Sequence, residues 1–254
     1  MTEKTEITAQ FLITEYTSIF EKAKQIDEIK STRVNFFLGT VGLISAGIAA
    51  AVNDLSISNI QNTIFLSSTV LLLLGLFTLH FCQNYSVDSV HLARRAGRIR
   101  RWFLCENQKL APFLVDEPSD DTPQFALGLK GLMRRGAEPV LLVLNSFLIT
   151  IISYLIVIAY IPMLLNHFQC FPVVQISKEI LNTLQIITVL WSFWWGVYFF
   201  FVQLFWVRYR MSDEQRKSNI PKRIDGVMFP SDNREIRKLI EDYFKNLKQS
   251  EEST

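Results

Sequence analysis

The sequence predicts an all-α integral membrane protein with four transmembrane helices, arranged as two hairpins, and cytoplasmic helical extensions. Three observations carry this expectation: four long apolar blocks without Asp, Glu, Lys or Arg, confinement of Lys and Arg to alternate intervening segments, and apolar stripes at helical spacing in the polar segments. With 49% hydrophobic and 20% charged residues and a formal net charge of +2, the 254-residue chain has an ordinary average composition. Its distribution is not ordinary. The blocks are Val34 to Val52, Ile60 to Cys82, Pro139 to Leu165, and Ile180 to Val207 without its first few residues. Each supplies the roughly 20 apolar residues that a helix rising 1.5 Å per residue needs to cross about 30 Å of hydrocarbon.

Charge placement orients the blocks. Of 26 Lys and Arg, five precede the first block, nine lie between the second and third, eleven follow the fourth, and Lys178 alone falls in a remaining loop. Cytoplasmic loops collect basic residues and short translocated loops avoid them. Both termini and the middle segment are therefore expected in the cytoplasm, with "NDLSISN" and "NHFQCFPVVQISKE" outside. A soluble protein with four core helices has no reason to sort charge this way.

Residues 1–33 form the first element, a cytoplasmic amphipathic helix leading into the membrane. Leu12, Tyr16, Ile19, Phe20, Ala23 and Ile26 are expected on one face, and no Pro or Gly interrupts the helix before residue 39. The acidic start "MTEKTEITAQ" lacks a basic n-region, so no cleaved leader is expected and the first block stays as an anchor. Residues 34–82 form transmembrane hairpin 1. Its first helix carries Gly39, Gly42, Ala46 and Ala50 in one smooth stripe continuing to Asn35. Small stripes let helix backbones approach closely in lipid, against helix two or against another copy.

Residues 83–138 hold a cytoplasmic Arg-rich helix and an acidic linker. "RRAGRIRR" places five Arg directly after the second block. Arg94, Arg95, Arg98 and Arg101 are the expected phosphate contacts, either to lipid headgroups or to a phosphorylated small-molecule ligand. "VDEPSDDTPQFALG", with two Pro, reads as a linker between hairpins.

Residues 139–207 form transmembrane hairpin 2. Ser146, Thr150, Ser153 and Tyr160 make a polar line on its first helix with Asn145 nearby, suited to interhelical hydrogen bonds or to lining a pore. Its second helix contains "WSFWWGVYFFFVQLFW", ten aromatics in sixteen positions, with Trp191, Trp194, Trp195 and Tyr198 on one side. A helix apolar all round belongs in a bilayer. Trp206 and Tyr209 beside Arg208 and Arg210 suit its headgroup boundary. Residues 208–254 are a cytoplasmic tail with an amphipathic helix: Ile236, Leu239, Ile240, Tyr243, Phe244 and Leu247 follow 3-4 spacing behind a capping box at Asp232 and Glu235.

Catalytic chemistry finds no purchase. His80, His91 and His167 are scattered, and Cys82, Cys105 and Cys170 have neither metal-knuckle spacing nor, across a membrane, a disulfide partner. No nucleophile elbow, phosphate-binding lysine loop or paired carboxylates occur, so neither a cofactor nor a metal is expected and the protein is expected not to be an enzyme. No block holds an ionisable acid or base, which argues against a proton-coupled carrier. No aromatic RNA-binding motif accompanies the Arg cluster, and specific nucleic-acid binding is not expected.

"YTSIFEKAKQIDEIKSTRVNFFLGTVGLIS", Tyr16 to Ser45, resembles the juxtamembrane start of the RipA-type octameric membrane proteins of bacteria, with Asn35, Phe36, Phe37 and Leu38 matching the entry to the first span. The likeness covers about thirty residues, and the second hairpin here has no counterpart in those two-span proteins. The layout of hairpins with cytoplasmic helices is also similar to small membrane effectors of bacterial antiphage systems. These likenesses imply a homo-oligomer in a bacterial inner membrane, a pore-forming or membrane-perturbing effector in defence or stress, whose partners are the lipid bilayer, other copies, and a cytoplasmic protein or phosphorylated ligand. The alternative is a membrane scaffold or assembly factor.

Overall fold

The computed structural model describes residues 3–51, 56–107, 125, 137–168 and 178–218. All regular structure among them is α-helical: α1 Glu3–Ala51, α2 Ile57–Glu106, α3 Ala137–Phe168 and α4 Lys178–Ser218. All four are long and apolar enough to cross a membrane. With 49, 50, 32 and 41 residues, all four exceed the roughly 20 that a span requires. Ser56 heads α2, its carbonyl accepting the Ile60 amide at 3.0 Å, as the residue before a first helical turn does. The tail stripe from Ile236 to Leu247, the acidic linker apart from Phe125, and the loop holding Cys170 lie outside the described residues.

Tertiary contacts divide the chain into two compact units. One comprises Met1–Ile29, Asn84–Leu127 and Tyr209–Thr254, and the other Lys30–Gln83 and Gly128–Arg208.

The second unit takes its core from all four helices. Val34 and Phe37 of α1, Leu71, Leu79 and Cys82 of α2, Leu141, Leu142 and Leu148 of α3, and Leu204 and Val207 of α4 form one buried cluster. Six of its polar side chains also lie inside: Ser68, Thr78, Asn145, Thr188, Ser192 and Gln203 are buried. The largest apolar side chains are outside. Trp194 is 65% exposed, Phe205 71% and Leu43 77%. A helix pattern with polar groups in and aromatics out inverts the arrangement that water enforces.

The first unit packs α1 against α2. Ile19 of α1 meets Ala96 and Ile99 of α2, with Leu12, Tyr16, Leu92 and Phe103 around them. Ala96, a small residue of this cluster, is buried, as is Gly97 beside it. Arg100 Nε donates to Tyr16 Oη at 3.3 Å while its guanidinium lies 5.7 Å from the Tyr16 ring centre. The sequence placed Phe20 on this face. It is 70% exposed, because the stripe centres between Leu12, Tyr16 and Ile19, and Phe20, 40° past Tyr16 and 100° from Ile19, falls beyond its edge.

Ile19→Ala should therefore lower the stability of the detergent-solubilised protein by about 2–5 kcal/mol through the cavity it leaves. Phe20→Ala should leave the thermal midpoint unchanged. Equal effects of the two would contradict the α1 face assigned here.

Candidate functional site

Three arrangements gather the polar side chains of the chain. The first is a seam between α3 and α4 in the second unit. Asn145 Nδ2 donates to Gln203 Oε1 at 3.1 Å, and Gln203 Nε2 donates to Ser146 Oγ at 3.3 Å. Hydroxyls along the seam turn back on their own helices: Ser146 donates to Leu142 O at 2.7 Å, Thr150 to Ser146 O at 2.9 Å, Thr188 to Leu184 O and Ser192 to Thr188 O both at 2.8 Å. This is how a helix satisfies a hydroxyl where no water is available.

Gly196 lets α4 close on α3, and Gly75 lets α2 close on the same residues of α3. A Cβ at Gly196 would fall on Thr150 Oγ1 and 3.0 Å from Ser146 O, and a Cβ at Gly75 would fall on Asn145 Oδ1 and 3.0 Å from the Phe37 ring. The polar line read from the sequence is thus brought against α4 at Asn145, Ser146 and Thr150, with Ser153 half-buried beyond them. The small stripe on α1 is placed differently. At Gly39 and Gly42 an added Cβ would meet nothing within 4 Å, and Ala46 and Ala50 are exposed. On the opposite face of α1, Val41, Ile44, Ser45 and Ile48 wall a groove of about 240 Å³ whose other sides come from α2 and α3.

The second arrangement is an ion pair in the same unit. Lys30 Nζ lies 2.9 Å from Glu138 Oε1, with the Glu138 side chain fully buried and that of Lys30 14% exposed. Glu138 stands in the first turn of α3, where a carboxylate also meets the positive end of the helix dipole. Arg33 stacks 4.3 Å from the Phe81 ring centre in this unit. Gln83 is fully buried, and its carboxamide has no hydrogen-bond partner among the described residues.

The third is a clamp in the first unit, built on the Arg cluster. Arg94 is 2% exposed; its Nη2 donates to Gln215 Oε1 at 3.2 Å, and its guanidinium covers the Phe125 ring at 4.4 Å. The Phe125 amide donates to the same Gln215 oxygen at 3.0 Å, and His91 meets the ring edge-on with centres 5.0 Å apart. Arg210 donates to Asn84 Oδ1, across 126 residues of sequence. Of the other Arg expected to contact phosphate, Arg95 is exposed, and Arg98 and Arg101 are half-buried. Arg101 Nε and Nη1 are buried with no hydrogen-bond partner among the described residues.

Sequence reasoning missed Gly75, Gly196, the Lys30–Glu138 pair, Phe125 and Gln215. The glycines had a signal: a lone Gly inside a long apolar helix sacrifices about 1 kcal/mol relative to Ala, which a close approach explains. The pairs had none, since their members stand 108 and 90 residues apart. Among the described residues no group of three or more His, Cys, Asp or Glu converges. Cys82 is buried and Cys105 exposed, both as free thiols.

No family model matches the chain, and neither a curated protein nor a solved structure does. The class defined by fold and site is that of an all-α chain with four potential membrane spans, held by a polar seam and a buried ion pair.

Gly196→Leu and Gly75→Leu should each wedge the second unit open and reduce stability by about 1–3 kcal/mol or more, read as a lower thermal midpoint. Gly42→Leu should leave that midpoint unchanged for the chain held as single copies in dilute detergent, since an added Cβ there meets nothing within 4 Å. Breaking the ion pair with Lys30→Met should cost about 3–5 kcal/mol, and adding Glu138→Met should recover most of it, because the expensive species is the lone buried charge. A double variant no more stable than the single one would refute that account.

Proposed function

We propose that the chain is a multi-pass protein of a bacterial inner membrane, with two transmembrane hairpins and both termini in the cytoplasm. It acts without catalysis as a homo-oligomeric, pore-forming or membrane-perturbing effector in defence or stress, controlled by its cytoplasmic helices. The observation that carries this reading is the inverted second unit: carboxamides and hydroxyls are buried while Trp194 and Phe205 are 65% and 71% exposed. In water such a surface would aggregate, and in hydrocarbon it is the stable arrangement.

The oligomer is supported by the open α1 stripe. The polar seam is engaged within one chain, so copies meet through other faces, and Gly39, Gly42, Ala46 and Ala50 offer the closest backbone approach. Exposed Phe11 and Phe20 on the same helix add apolar surface in the first unit. The resemblance of Tyr16 to Ser45 to octameric membrane proteins points the same way, and the layout similar to antiphage membrane effectors supports the defence reading.

Induced expression in bacteria loaded with a potential-sensitive dye should depolarise them. Gly42→Leu, whose side chain has room within its own chain, should abolish both depolarisation and the cross-linked dimer formed by Ala46→Cys. An unchanged dye signal with the wild-type chain would overturn the effector reading in favour of a scaffold. Cross-linking that survives Gly42→Leu would overturn the role of the stripe.

A further inference from the structure

Three helices each lend one face to the groove of the second unit. Four residues come from α1, four from α2 and four from α3, at positions i, i+3, i+4 and i+7 counted from Val41, Ile64 and Leu144, around a volume of about 240 Å³. Ser45, Ser67 and Ser68 are its polar residues, and every other lining residue is Val, Ile, Leu or Phe. Ser45 stands at the exposed rim, Ser67 is half-buried and Ser68 is 5% exposed. None of the three hydroxyls has a hydrogen-bond partner among the described residues. A helix can satisfy a hydroxyl by itself: on the same α1 and α2, Thr40, Thr69 and Thr78 each donate to the carbonyl four residues earlier at 2.8 Å. The groove serines do not close in this way, although a buried hydroxyl left without a partner is costly.

The lining narrows what can fill the space. A bare alkyl chain would leave the hydroxyls unpaired, and a charged group would enter without a counter-ion, since no ionisable side chain lines the groove. Water needs two to four polar partners, and the α3 wall offers none. We propose that the groove binds a small neutral amphiphile, its apolar body against α3 and its single hydroxyl or carbonyl oxygen facing Ser67 and Ser68. A serine hydroxyl both donates and accepts, so either oxygen is matched. An apolar cavity of about 150 Å³ holds benzene, so the 240 Å³ here admits roughly ten non-hydrogen atoms. The site is separate from the small-residue stripe, which lies on the other face of α1, and does not depend on the effector reading.

The probe is an octanol carrying a photoreactive diazirine, irradiated with the full-length chain in detergent micelles and mapped by peptide mass spectrometry. Adducts should concentrate on residues 41–48, 64–71 and 144–151. Plain 1-octanol should compete at a micellar concentration about five-fold or more below that needed of octane, the difference one hydrogen bond makes. The variant Ser67→Ala/Ser68→Ala should lower adduct yield on those segments about five-fold or more and bring the two competitors level. Ile48→Trp should fill the groove and abolish the adducts with the thermal midpoint retained. If Ile48→Trp fails to fold, the alanine pair, which removes only hydroxyls, decides. The proposal is overturned if adducts are no denser on the three segments than around exposed Trp194 and Phe205, which is partitioning onto apolar surface only. It is equally overturned if octane competes as well as 1-octanol against the wild-type chain, or if the alanine pair labels as the wild type does.

Discussion

A hydroxyl or carboxamide in an apolar interior has no water to turn to, and the α3–α4 seam of the second unit is organised around that constraint. Asn145 and Gln203 face each other across α3 and α4, and the Ser146, Thr150, Thr188 and Ser192 hydroxyls close on backbone carbonyls one turn earlier. Bonds of this kind in lipid are individually modest, about 0.6 to 2 kcal/mol, because unassociated helices also find partners for their polar groups. Their greater effect is on register. Sliding α3 along α4 by one turn would leave both carboxamides unmatched, so the seam fixes which residues meet. Gly75 and Gly196 make that register reachable, since any side chain at either would strike the groups being joined.

The charges follow a related logic. Lys30 and Glu138 meet just outside the first and third apolar blocks, and a fully buried carboxylate there is tolerable only with its partner and the α3 dipole beside it. The guanidinium groups of Arg33, Arg94 and Arg100 each lie over an aromatic ring, Phe81, Phe125 and Tyr16 respectively. Arginine suits such contacts, being weakly hydrated and planar, where lysine would retain its water. The basic cluster that reads in sequence as one phosphate-binding surface is therefore chemically divided. Arg94 and Arg100 hold the first unit together, while Arg95 faces solvent.

The helices were legible because a span or an amphipathic stripe is a local property of residue order. Apolar blocks of span length and the 3-4 recurrence of Leu12, Tyr16 and Ile19 each sit within a short window. Phe20 shows the resolution limit of that method, since an apolar residue adjacent to a stripe can belong to it or stand 100° away. The glycines show another limit. Gly39 and Gly42 form the repeated small motif associated with helix contacts, yet the close contacts within this chain occur at the solitary Gly75 and Gly196. A motif states that a backbone can be approached, and only the partner's surface decides whether it is. Phe125 was illegible for a different reason: it stands in a Pro-containing acidic run with no periodicity, and its partners are distant in sequence.

The two open faces of the second unit differ in what they can do. On α4, Trp191, Trp195 and Tyr198 stack edge to face at 6.3 and 5.7 Å, forming a bulky outward ridge. A ridge of rings holds any neighbouring backbone away and is well matched to fluid acyl chains and headgroup boundaries. On α1, Gly39, Gly42, Ala46 and Ala50 present almost no side chain, and their face is open along its length. Both faces are apolar and exposed, so hydrophobicity does not choose between them. Dispersion and backbone approach do, because a helix laid on the smooth face gains contacts along its whole length that flexible chains make only transiently. Of the two faces, α1 is therefore the one that admits close backbone approach, and α4 the one that holds a neighbouring backbone off.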